Sequence, residues 1–225
     1  MITQRKGQWG GAAALVLMVW SAVATTQEVG AAGEQLAPVY SGIPHDAVYD
    51  INISGQSGVA VGAFGVILES KDSGASWVKA DSGTEYALLG VAVNGDKRII
   101  VGQRGTVLLG KPEGGWEKID SKSESRLMQV SVNTAGLAIA VGEFGSVLRS
   151  RDAGRTWEKL TLDWAGFRED GYEPHLYAVH VDDNNRVVVG GEFAYVIVST
   201  DSGDTWNLAT KGEKSIFGMH LRPDG

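Results

Sequence analysis

A five-residue motif occurs four times along this chain at nearly constant spacing. It reads Val-Gly or Gly-Gly, then two variable residues, then Gly or Ala. The four copies start at Val61, Val101, Val141 and Gly190. Their start positions lie 40, 40 and 49 residues apart. A period of about 40 residues is typical of folds that repeat one small supersecondary unit, so this spacing restricts the chain to a repeat architecture.

The motif lies inside a longer repeated pattern. An alternating apolar and polar stretch precedes the motif, an apolar stretch follows it, and a tryptophan comes 14 or 15 residues after the glycine in its second position. Alternation with a period of two indicates β-strands, and the Asn, Asp and Gly between stretches indicate tight turns. Four short strands in about 40 residues match one blade of a β-propeller. The strands of a β-sandwich do not repeat one sequence four times, so the sequence predicts an all-β propeller of four-stranded blades.

The repeat also predicts the domain organisation. Four blades are expected at residues 45–80, 86–120, 125–161 and 174–209, and residues 214–225 match only the start of a fifth blade. A propeller closes into a ring because an open arc exposes strand edges. We therefore expect the chain to be a truncated form of a larger propeller, or else to self-associate through its open ends.

The first 24 residues match a secretory signal peptide. Arg5 and Lys6 precede an uncharged, mostly apolar run at residues 10–24, which ends in the small-residue pattern of a cleavage site. The run is shorter than the ~20 apolar residues of a membrane-spanning helix. An uncleaved anchor is the alternative, and residues 25–40 have the composition of a linker. In both cases we expect the propeller to lie outside the cytoplasm.

Composition argues against several classes of function. Lys and Arg total 20 against 27 Asp and Glu, a net charge of −7, whereas a nucleic-acid-binding protein needs a basic face. The chain has no cysteine, which excludes disulfides and thiolate metal sites. His180 and His220 fall at equivalent places in neighbouring repeats, but a metal site needs at least three ligands within reach. We therefore expect no metal, no cofactor and no nucleic-acid partner.

A second motif, Ser-x-Asp-x-Gly-x-Ser/Thr-Trp, joins the predicted third and fourth strands of three blades. Its characteristic residues are Asp72, Gly74 and Trp77, then Asp152, Gly154 and Trp157, and finally Asp201, Gly203 and Trp206. In such a turn the Asp accepts backbone N–H groups, the Gly takes a left-handed conformation and the Trp packs on the sheet. The second blade has Trp116 but lacks the Asp. Repeated aspartates could suggest acid–base or metal chemistry, but in separate blades they point to different places, so we predict a structural role.

The combination of Val-Gly-x-x-Gly, an apolar strand and Ser-x-Asp-x-Gly-x-x-Trp resembles the photosystem II stability/assembly factor-like family of Asp-box (BNR-repeat) propellers. The resemblance covers roughly residues 40–225. It implies a seven-bladed, non-catalytic propeller that binds a protein partner at or near a membrane. It also implies a location in the periplasm, on the extracytoplasmic face of a membrane, or in the thylakoid lumen of a phototroph. The Asp box alone is also found in sialidases, some glycoside hydrolases and sortilin-type receptors.

Two features suggest where a partner would bind. The 49-residue spacing contains an insertion at residues 162–174 that is rich in aromatic and charged side chains, as contact loops are. The predicted partner surface consists of Arg104, Trp164, Phe167, Arg168 and Tyr172. The alternative is that the loop aromatics fold back onto the blade edges. Phe64, Phe144 and Phe193 occupy the position of Arg104 in the other repeats, and they either join this surface or pack on the next blade.

The alternative function is that of a sialidase-like glycoside hydrolase or a carbohydrate-binding propeller. A sialidase needs arginines for the substrate carboxylate and a Tyr–Glu nucleophile pair. The chain has no Phe/Tyr-Arg-x-Pro segment, because Phe167 and Arg168 are followed by Glu169. The carboxylates available for glycoside hydrolysis include Glu143, Asp170 and Glu192. No pattern singles them out, and we expect no catalytic residues.

Overall fold

The computed structural model of this protein describes residues 47–167 and 170–221. The predicted signal peptide, the predicted linker and Arg168 lie outside the described residues. Within the described residues, sixteen β-strands form four antiparallel sheets of four strands each. Each sheet contains one copy of the repeat, and we call the sheets blades 1 to 4 in chain order.

The strands of each blade lie side by side in the order of the chain. Blade 1 consists of β1 (Val48–Ser54), β2 (Ser57–Gly62), β3 (Ile67–Ser70) and β4 (Val78–Ala80). Blade 2 consists of β5 (Leu88–Asn94), β6 (Lys97–Gly102), β7 (Val107–Gly110) and β8 (Trp116–Ile119). Blade 3 consists of β9 (Leu127–Val132), β10 (Ala138–Gly142), β11 (Val147–Ser150) and β12 (Glu158–Leu160). Blade 4 consists of β13 (Leu176–Val181), β14 (Val187–Gly191), β15 (Val196–Ser199) and β16 (Asn207–Thr210).

The first strands of successive blades are neighbours in space. Strand β1 lies beside β5, β5 beside β9, and β9 beside β13. These first strands line one polar cavity of about 500 Å³, which marks the axis around which the blades are arranged. The prediction of an all-β propeller built from four-stranded blades is therefore confirmed, with four blades in the described residues.

Alternation along the strands gives every blade two faces. We call the face that points to the next blade in the chain the forward face, and the face that points to the previous blade the rear face. Between blades 1 and 2, forward-face residues Val59, Val61 and Ile67 pack against rear-face residues Leu88 and Val91. Forward and rear faces also form the clusters between blades 2 and 3 and between blades 3 and 4. The apolar core therefore lies between blades rather than within any one of them.

Polar side chains on the first strands join neighbouring blades close to the axis. The Oδ1 atom of Asn52 accepts the N–H of Val93 at 3.2 Å, which links blades 1 and 2. The hydroxyl of Ser131 accepts the N–H of Val181 at 3.0 Å, which links blades 3 and 4. These bonds satisfy first-strand N–H groups that have no partner within their own sheet.

One carboxylate near the axis contacts three blades. Asp50 of blade 1 accepts the N–H of Val91 in blade 2 at 2.8 Å and the side-chain amide of Gln129 in blade 3 at 3.2 Å. Burial disfavours the charged form and raises the pKa of Asp50, although the hydrogen bonds from Val91, Gln129 and Ile51 oppose this shift. Blade 2 has Gly90 at the equivalent position, so the carboxylate is a feature of the first blade.

The insertion between blades 3 and 4 contains a short helix, α1 (Trp164–Phe167). Trp164 is only 6% exposed and packs with Leu162 and Leu176 in the cluster between these blades. None of the helices in the described parts of the chain has the length and apolar character needed to cross a membrane.

The last described segment, residues 211–221, contains no strand, although the sequence predicts the first strand of a fifth blade there. The segment nevertheless contacts blade 4 as the start of a blade does. The carbonyl of Lys214 accepts the N–H of Ala194, just as the carbonyl of Pro174 accepts the N–H of Gly145. A first strand pairs with the second strand of its own blade, and no described strand follows this segment.

Candidate interaction surface

The Gly-x-x-Gly motifs form four equivalent turns between the second and third strands. In blade 1, the N–H of Gly62 donates to the carbonyl of Val66 at 3.0 Å, and the N–H of Val66 donates to Ala63 at 3.0 Å. The second variable residue of each turn, which we call the tip, has a left-handed backbone with φ between 51° and 54°. The four tip residues are Phe64, Arg104, Phe144 and Phe193.

Contacts with the following blade hold each turn in place. The N–H of Gly105 donates to the carbonyl of Ser125 at 2.8 Å, and the N–H of Gly145 donates to that of Pro174 at 2.8 Å. A β-carbon at Gly105 would collide with the carbonyl of Ser123, and Gly105 also has a positive φ of 64°. The final glycine of the turn therefore allows the close approach of the next blade.

Two of the tip phenylalanines are largely exposed. Phe64 is 69% exposed and Phe144 is 61% exposed. Arg104 is exposed as well, and its guanidinium lies 5.5 Å from the ring centroid of Tyr86. Phe193 is half-buried and makes an edge-on contact with Tyr172 at 5.7 Å. Packing on the next blade, the alternative considered for these phenylalanines, applies in part to Phe144, whose ring lies 4.9 Å from that of His175 just before β13. Phe64 and Phe144 nevertheless remain at the surface.

In blades 2 to 4, the side chain of the first variable residue accepts a backbone N–H of the segment that enters its own blade. Glu143 accepts the N–H of Arg126 at 2.8 Å, and Glu192 accepts the N–H of His175 at 2.9 Å. Glu192 also accepts the hydroxyl of Tyr172 at 3.1 Å. These carboxylates, which the sequence left available for catalysis, are engaged in structural hydrogen bonds around the tips.

A cavity of about 280 Å³ opens between the tips of blades 2 and 3. Two arginines and two glutamates line it together with Tyr86 and Gln103, and the charged residues are Arg104, Glu124, Arg126 and Glu143. Sequence reasoning did not single out Arg126. Its position immediately before β9 could have indicated it, because the residues that precede a first strand contact the Gly-x-x-Gly turns. We call the four tips and this cavity the tip surface.

The residues predicted from the insertion are placed differently from one another. Trp164 is buried and Phe167 is half-buried against the same cluster, so the prediction that Trp164 contributes to a partner surface is wrong. Its ring fills the space beside Gly145, where a β-carbon would collide with the indole. Tyr172 is partly exposed next to Phe193 and thus lies near the tip surface, to which Arg104 belongs as the tip of blade 2. Arg168 lies outside the described residues.

The three Asp-box turns have the same local geometry. Asp72 accepts the N–H of Ser76 at 2.8 Å and the hydroxyl of Ser70 at 2.7 Å, while the indole N–H of Trp77 donates to Gly74 at 2.9 Å. The hydroxyl and N–H of Ser76 lower the pKa of Asp72 to about 2. The equivalent bonds form around Asp152 and Asp201. Each aspartate bonds within its own turn, in a separate blade, and the three do not meet at a common site.

The axial cavity is lined by Asn52, Ala92, Ser131 and His180, one from each blade. From the C-terminal segment, Met219 rather than His220 lines it, so the two histidines at equivalent repeat positions do not both face the cavity. In the part of the chain that the structure describes, no group of three or more His, Cys, Asp or Glu side chains is placed to hold a metal ion.

Comparison with known proteins finds similarity among solved structures. No family model and no curated protein matches the chain. YCF48 bound to a D1 peptide is similar with a TM-score of 0.59 and 19% identity, over 80% of this chain and 59% of that one. YCF48 from Cyanidioschyzon merolae gives a TM-score of 0.60 and 19% identity, over 80% of this chain and 62% of that one. An ancestral GH74 enzyme is similar with a TM-score of 0.55 and 13% identity, over 74% of this chain and 26% of that one.

The chain thus spans about three fifths of the length of the two YCF48 structures. At these identities the likeness establishes the fold, which is a β-propeller like that of YCF48. The resemblance that the sequence motifs indicate is therefore confirmed for the fold.

Proposed function

We propose that this chain is an exported, non-catalytic β-propeller that binds a protein partner at or near a membrane through its tip surface. The shared fold supports a role in protein binding, because a propeller of this fold, YCF48, has been solved with a D1 peptide bound. The signal-peptide pattern at residues 1–24 supports export. Proximity to a membrane rests on the resemblance to assembly-factor propellers.

The tips carry the proposal. A left-handed backbone costs a residue with a β-carbon about 1–2 kcal/mol, and phenylalanine gains no local hydrogen bond that would offset this cost. Phe64 and Phe144 also expose most of their rings to water. Neither the fold nor the turn requires an aromatic ring at these positions, since Arg104 takes the same conformation. Exposed aromatic and arginine side chains on a rigid frame are the residues that dominate the binding energy of protein interfaces.

The chemistry of the tip surface indicates the kind of segment that would bind. Phe64 and Phe144 offer apolar area on either side of the cavity that contains Arg104 and Arg126. A partner segment with apolar side chains and a carboxylate between them would match this arrangement, because arginine forms strong charge-assisted hydrogen bonds to carboxylates.

The hydrogen bonds around the tips favour binding over catalysis. Glu192 accepts bonds from the hydroxyl of Tyr172 and the N–H of His175, and the hydroxyl of Tyr177 lies 3.5 Å from it. Burial, together with the charge of Glu192, raises the pKa of Tyr177, so this tyrosine stays protonated at neutral pH. A tyrosine nucleophile needs the opposite shift or a free base, and Glu192 is already engaged with the backbone.

Replacing the tips by asparagine tests the proposal without disturbing the turns, since asparagine tolerates the left-handed conformation. We expect Phe64→Asn, Arg104→Asn and Phe144→Asn together to abolish capture of a specific envelope-membrane protein while the melting temperature stays unchanged or rises. The captured protein is identified by mass spectrometry, and its purified form is used to measure the dissociation constant. The matched control is Val78→Asn, which removes an exposed apolar side chain from β4, away from the tips.

Retention of binding by the triple variant would refute the assignment of the tip surface. A panel of fluorogenic glycosides tests the alternative function on the same preparations. Hydrolysis above background that is lost in Glu192→Gln would contradict the non-catalytic assignment.

A further inference from the structure

The tip of blade 3 contacts a side chain that can change its charge. The backbone N–H of Phe144 donates to the Nδ1 atom of His175 at 3.2 Å. The two rings also touch, with their centroids 4.9 Å apart and their planes inclined by 57°. Because His175 immediately precedes β13, this pair of contacts joins the tip of blade 3 to the entry of blade 4.

The residue that precedes the first strand has an equivalent place in all four described blades. Its carbonyl accepts the N–H of the first variable residue of the turn in its own blade, and the four residues are Ala47, Ala87, Arg126 and His175. Alanine has no side-chain acceptor, and an arginine side chain has donors only. Among the described blades, His175 is therefore the one residue of this series whose side chain can accept a hydrogen bond from a tip.

The contact depends on the protonation state of the imidazole. Nδ1 accepts a hydrogen bond only when it carries no proton, which is the neutral form with the proton on Nε2, whereas both nitrogens of the charged form are donors. Histidine is the side chain that ordinarily changes charge between about pH 5 and pH 8. Protonation of His175 would place one donor against another at Phe144, so acid should break this bond. The bond lies at an exposed position, where solvent protons reach the ring without unfolding.

The titratable groups of blade 4 around His175 leave this acceptor role to the imidazole. Glu192, in the turn of blade 4, accepts the backbone N–H of His175 at 2.9 Å and the hydroxyl of Tyr172 at 3.1 Å. The ring of Tyr177 in β13 lies 6.4 Å from the imidazole. Burial, together with the charge of Glu192, raises the pKa of Tyr177, which therefore stays neutral from pH 5 to pH 8.

The carboxylates of the other two packed elements are not the acceptor either. Glu143, in the turn of blade 3, accepts the N–H of Arg126 at 2.8 Å. Glu173, in the insertion, forms no ion pair with His175 within the described residues. The charge of His175 thus decides whether the N–H of Phe144 has its acceptor.

Loss of this bond would affect the tip more than the rest of the turn. The turn remains attached to blade 4 by other bonds, such as that from the N–H of Gly145 to the carbonyl of Pro174 at 2.8 Å. Phe144, in contrast, has a left-handed backbone with φ of 51°, which is unfavourable for a residue with a β-carbon. Without its acceptor, the peptide before Phe144 can relax, and the ring, which is 61% exposed, can leave its place beside His175.

We propose that His175 is a pH-dependent positioning residue of the tip surface, which fixes Phe144 in its binding position when neutral and releases it when protonated. This inference rests on the proposed function, in which Phe144 is one of the exposed rings beside the cavity that contains Arg104 and Arg126. A partner should therefore bind more tightly at neutral than at acidic pH. The positive charge that acid adds does not offset the loss, because exposed charges contribute little in water.

Hydrogen exchange with water, measured by NMR on the purified chain, tests the switch without any partner. The quantity measured is the protection of the Phe144 amide relative to its intrinsic exchange rate. We expect this protection to fall about fivefold from about pH 7.5 to about pH 5.5, which corresponds to the loss of a hydrogen bond of ~1 kcal/mol. The amide of Phe64 is the matched control and should not respond, because Ala87 has the place of His175 beside that tip. Unchanged protection of Phe144 across this range would overturn the proposal.

Two substitutions of His175 separate its charge from its acceptor. His175→Asn keeps an acceptor oxygen near the position of Nδ1 and does not titrate, so Phe144 should stay protected at both pH values. His175→Arg carries a permanent charge and reproduces the residue that stands at the equivalent Arg126, so it should fold and leave Phe144 unprotected at both pH values. Protection that falls with pH in His175→Asn as it does in the wild type would overturn the assignment to His175.

The affinity of these variants for the purified partner of the tip surface tests the consequence for recognition. The dissociation constant of the wild type should rise about fivefold from about pH 7.5 to about pH 5.5, and that of His175→Asn should not. A pH dependence shared by both would belong to the partner and would overturn this inference. Binding that needs the tips but does not depend on pH would refute this inference alone, whereas binding that survives the triple tip substitution would refute the proposed function.

Discussion

The tryptophans of blades 1 and 2 provide a direct measure of what the Asp-box turn contributes to stability. Trp77 and Trp116 occupy the same place in the repeat and are both half-buried. The indole N–H of Trp77 donates to the carbonyl of Gly74 at 2.9 Å. In blade 2, where the Asp box is absent, the Nε1 atom of Trp116 is buried and has no hydrogen-bond partner among the described residues.

Phenylalanine at each position removes the N–H and a similar part of the ring. Trp77→Phe should lose a hydrogen bond of about 1 kcal/mol, whereas Trp116→Phe should regain part of the ~1–3 kcal/mol that an unpaired buried donor costs. The Trp116 ring also lies 5.2 Å from the guanidinium of Arg98, and weakening this cation–π contact offsets about 0.5 kcal/mol. The free energy of unfolding should therefore be about 2 kcal/mol lower in Trp77→Phe than in Trp116→Phe.

Urea unfolding followed by far-UV circular dichroism measures this difference, and equal m-values show that the two variants unfold from comparable states. For a chain of this size, 2 kcal/mol corresponds to a difference in Tm of about 4 to 8 °C. Trp206→Phe, which also removes an Asp-box bond, serves as a second control and should behave like Trp77→Phe. Equal losses in Trp77→Phe and Trp116→Phe would refute the reasoning, because the N–H would then contribute nothing in either environment.

Two further predictions concern pH. Burial raises the pKa of Asp50 above its ordinary value of 3.8, so the folded protein binds the carboxyl proton more tightly than the unfolded chain does. The folding stability that comes from this protonation is therefore lost as the pH rises through the pKa of the folded state. Asp50→Asn should therefore be more stable than the wild type at pH 7, with an advantage that shrinks toward pH 4, as measured by Tm; an advantage independent of pH would contradict this. The hydroxyl and N–H of Thr205 lower the pKa of Asp201 to about 2. The ionised carboxylate therefore contributes to folding stability above pH 3.8, and this contribution is lost as the pH falls toward 2. The Asp201→Asn variant should have a lower Tm than the wild type at pH 7, and this difference in Tm should disappear near pH 2. A difference in Tm that stays constant from pH 7 to pH 2 would contradict the assignment.

The fold was predictable because its signals repeat. Glycine in the second position of the motif and Trp at or just before the start of the fourth strand recur with the blade, so each copy supports the interpretation of the others. The Asp-box turns were predictable for a related reason. The Asp, the Gly and the Ser/Thr interact within a few residues of sequence, as the bonds of Asp72 to Ser70 and Ser76 show.

The candidate site was less predictable because its residues are not repeated or not local. Trp164 lies in the single insertion, so no equivalent residue indicates whether its ring is buried, and its contact with Gly145 bridges positions that are 19 residues apart. Phe64 and Phe144 are largely exposed at the tips of their turns, although the ring of Phe144 contacts that of His175. Neither hydrophobicity nor alternation predicts this exposure, and Phe193, which has the same left-handed backbone, is half-buried.

The architecture of the Gly-x-x-Gly turn separates the residues that maintain the propeller from those that meet a partner. The flanking glycines and the preceding Gln103, Glu143 or Glu192 make the contacts that fix the turn, and the side chain between them is not needed for any of these contacts. Selection could therefore change the tip from phenylalanine to arginine, as in blade 2, and alter what this rim recognises at little cost to stability. Related chains could diverge in their partners while their blades stay nearly the same.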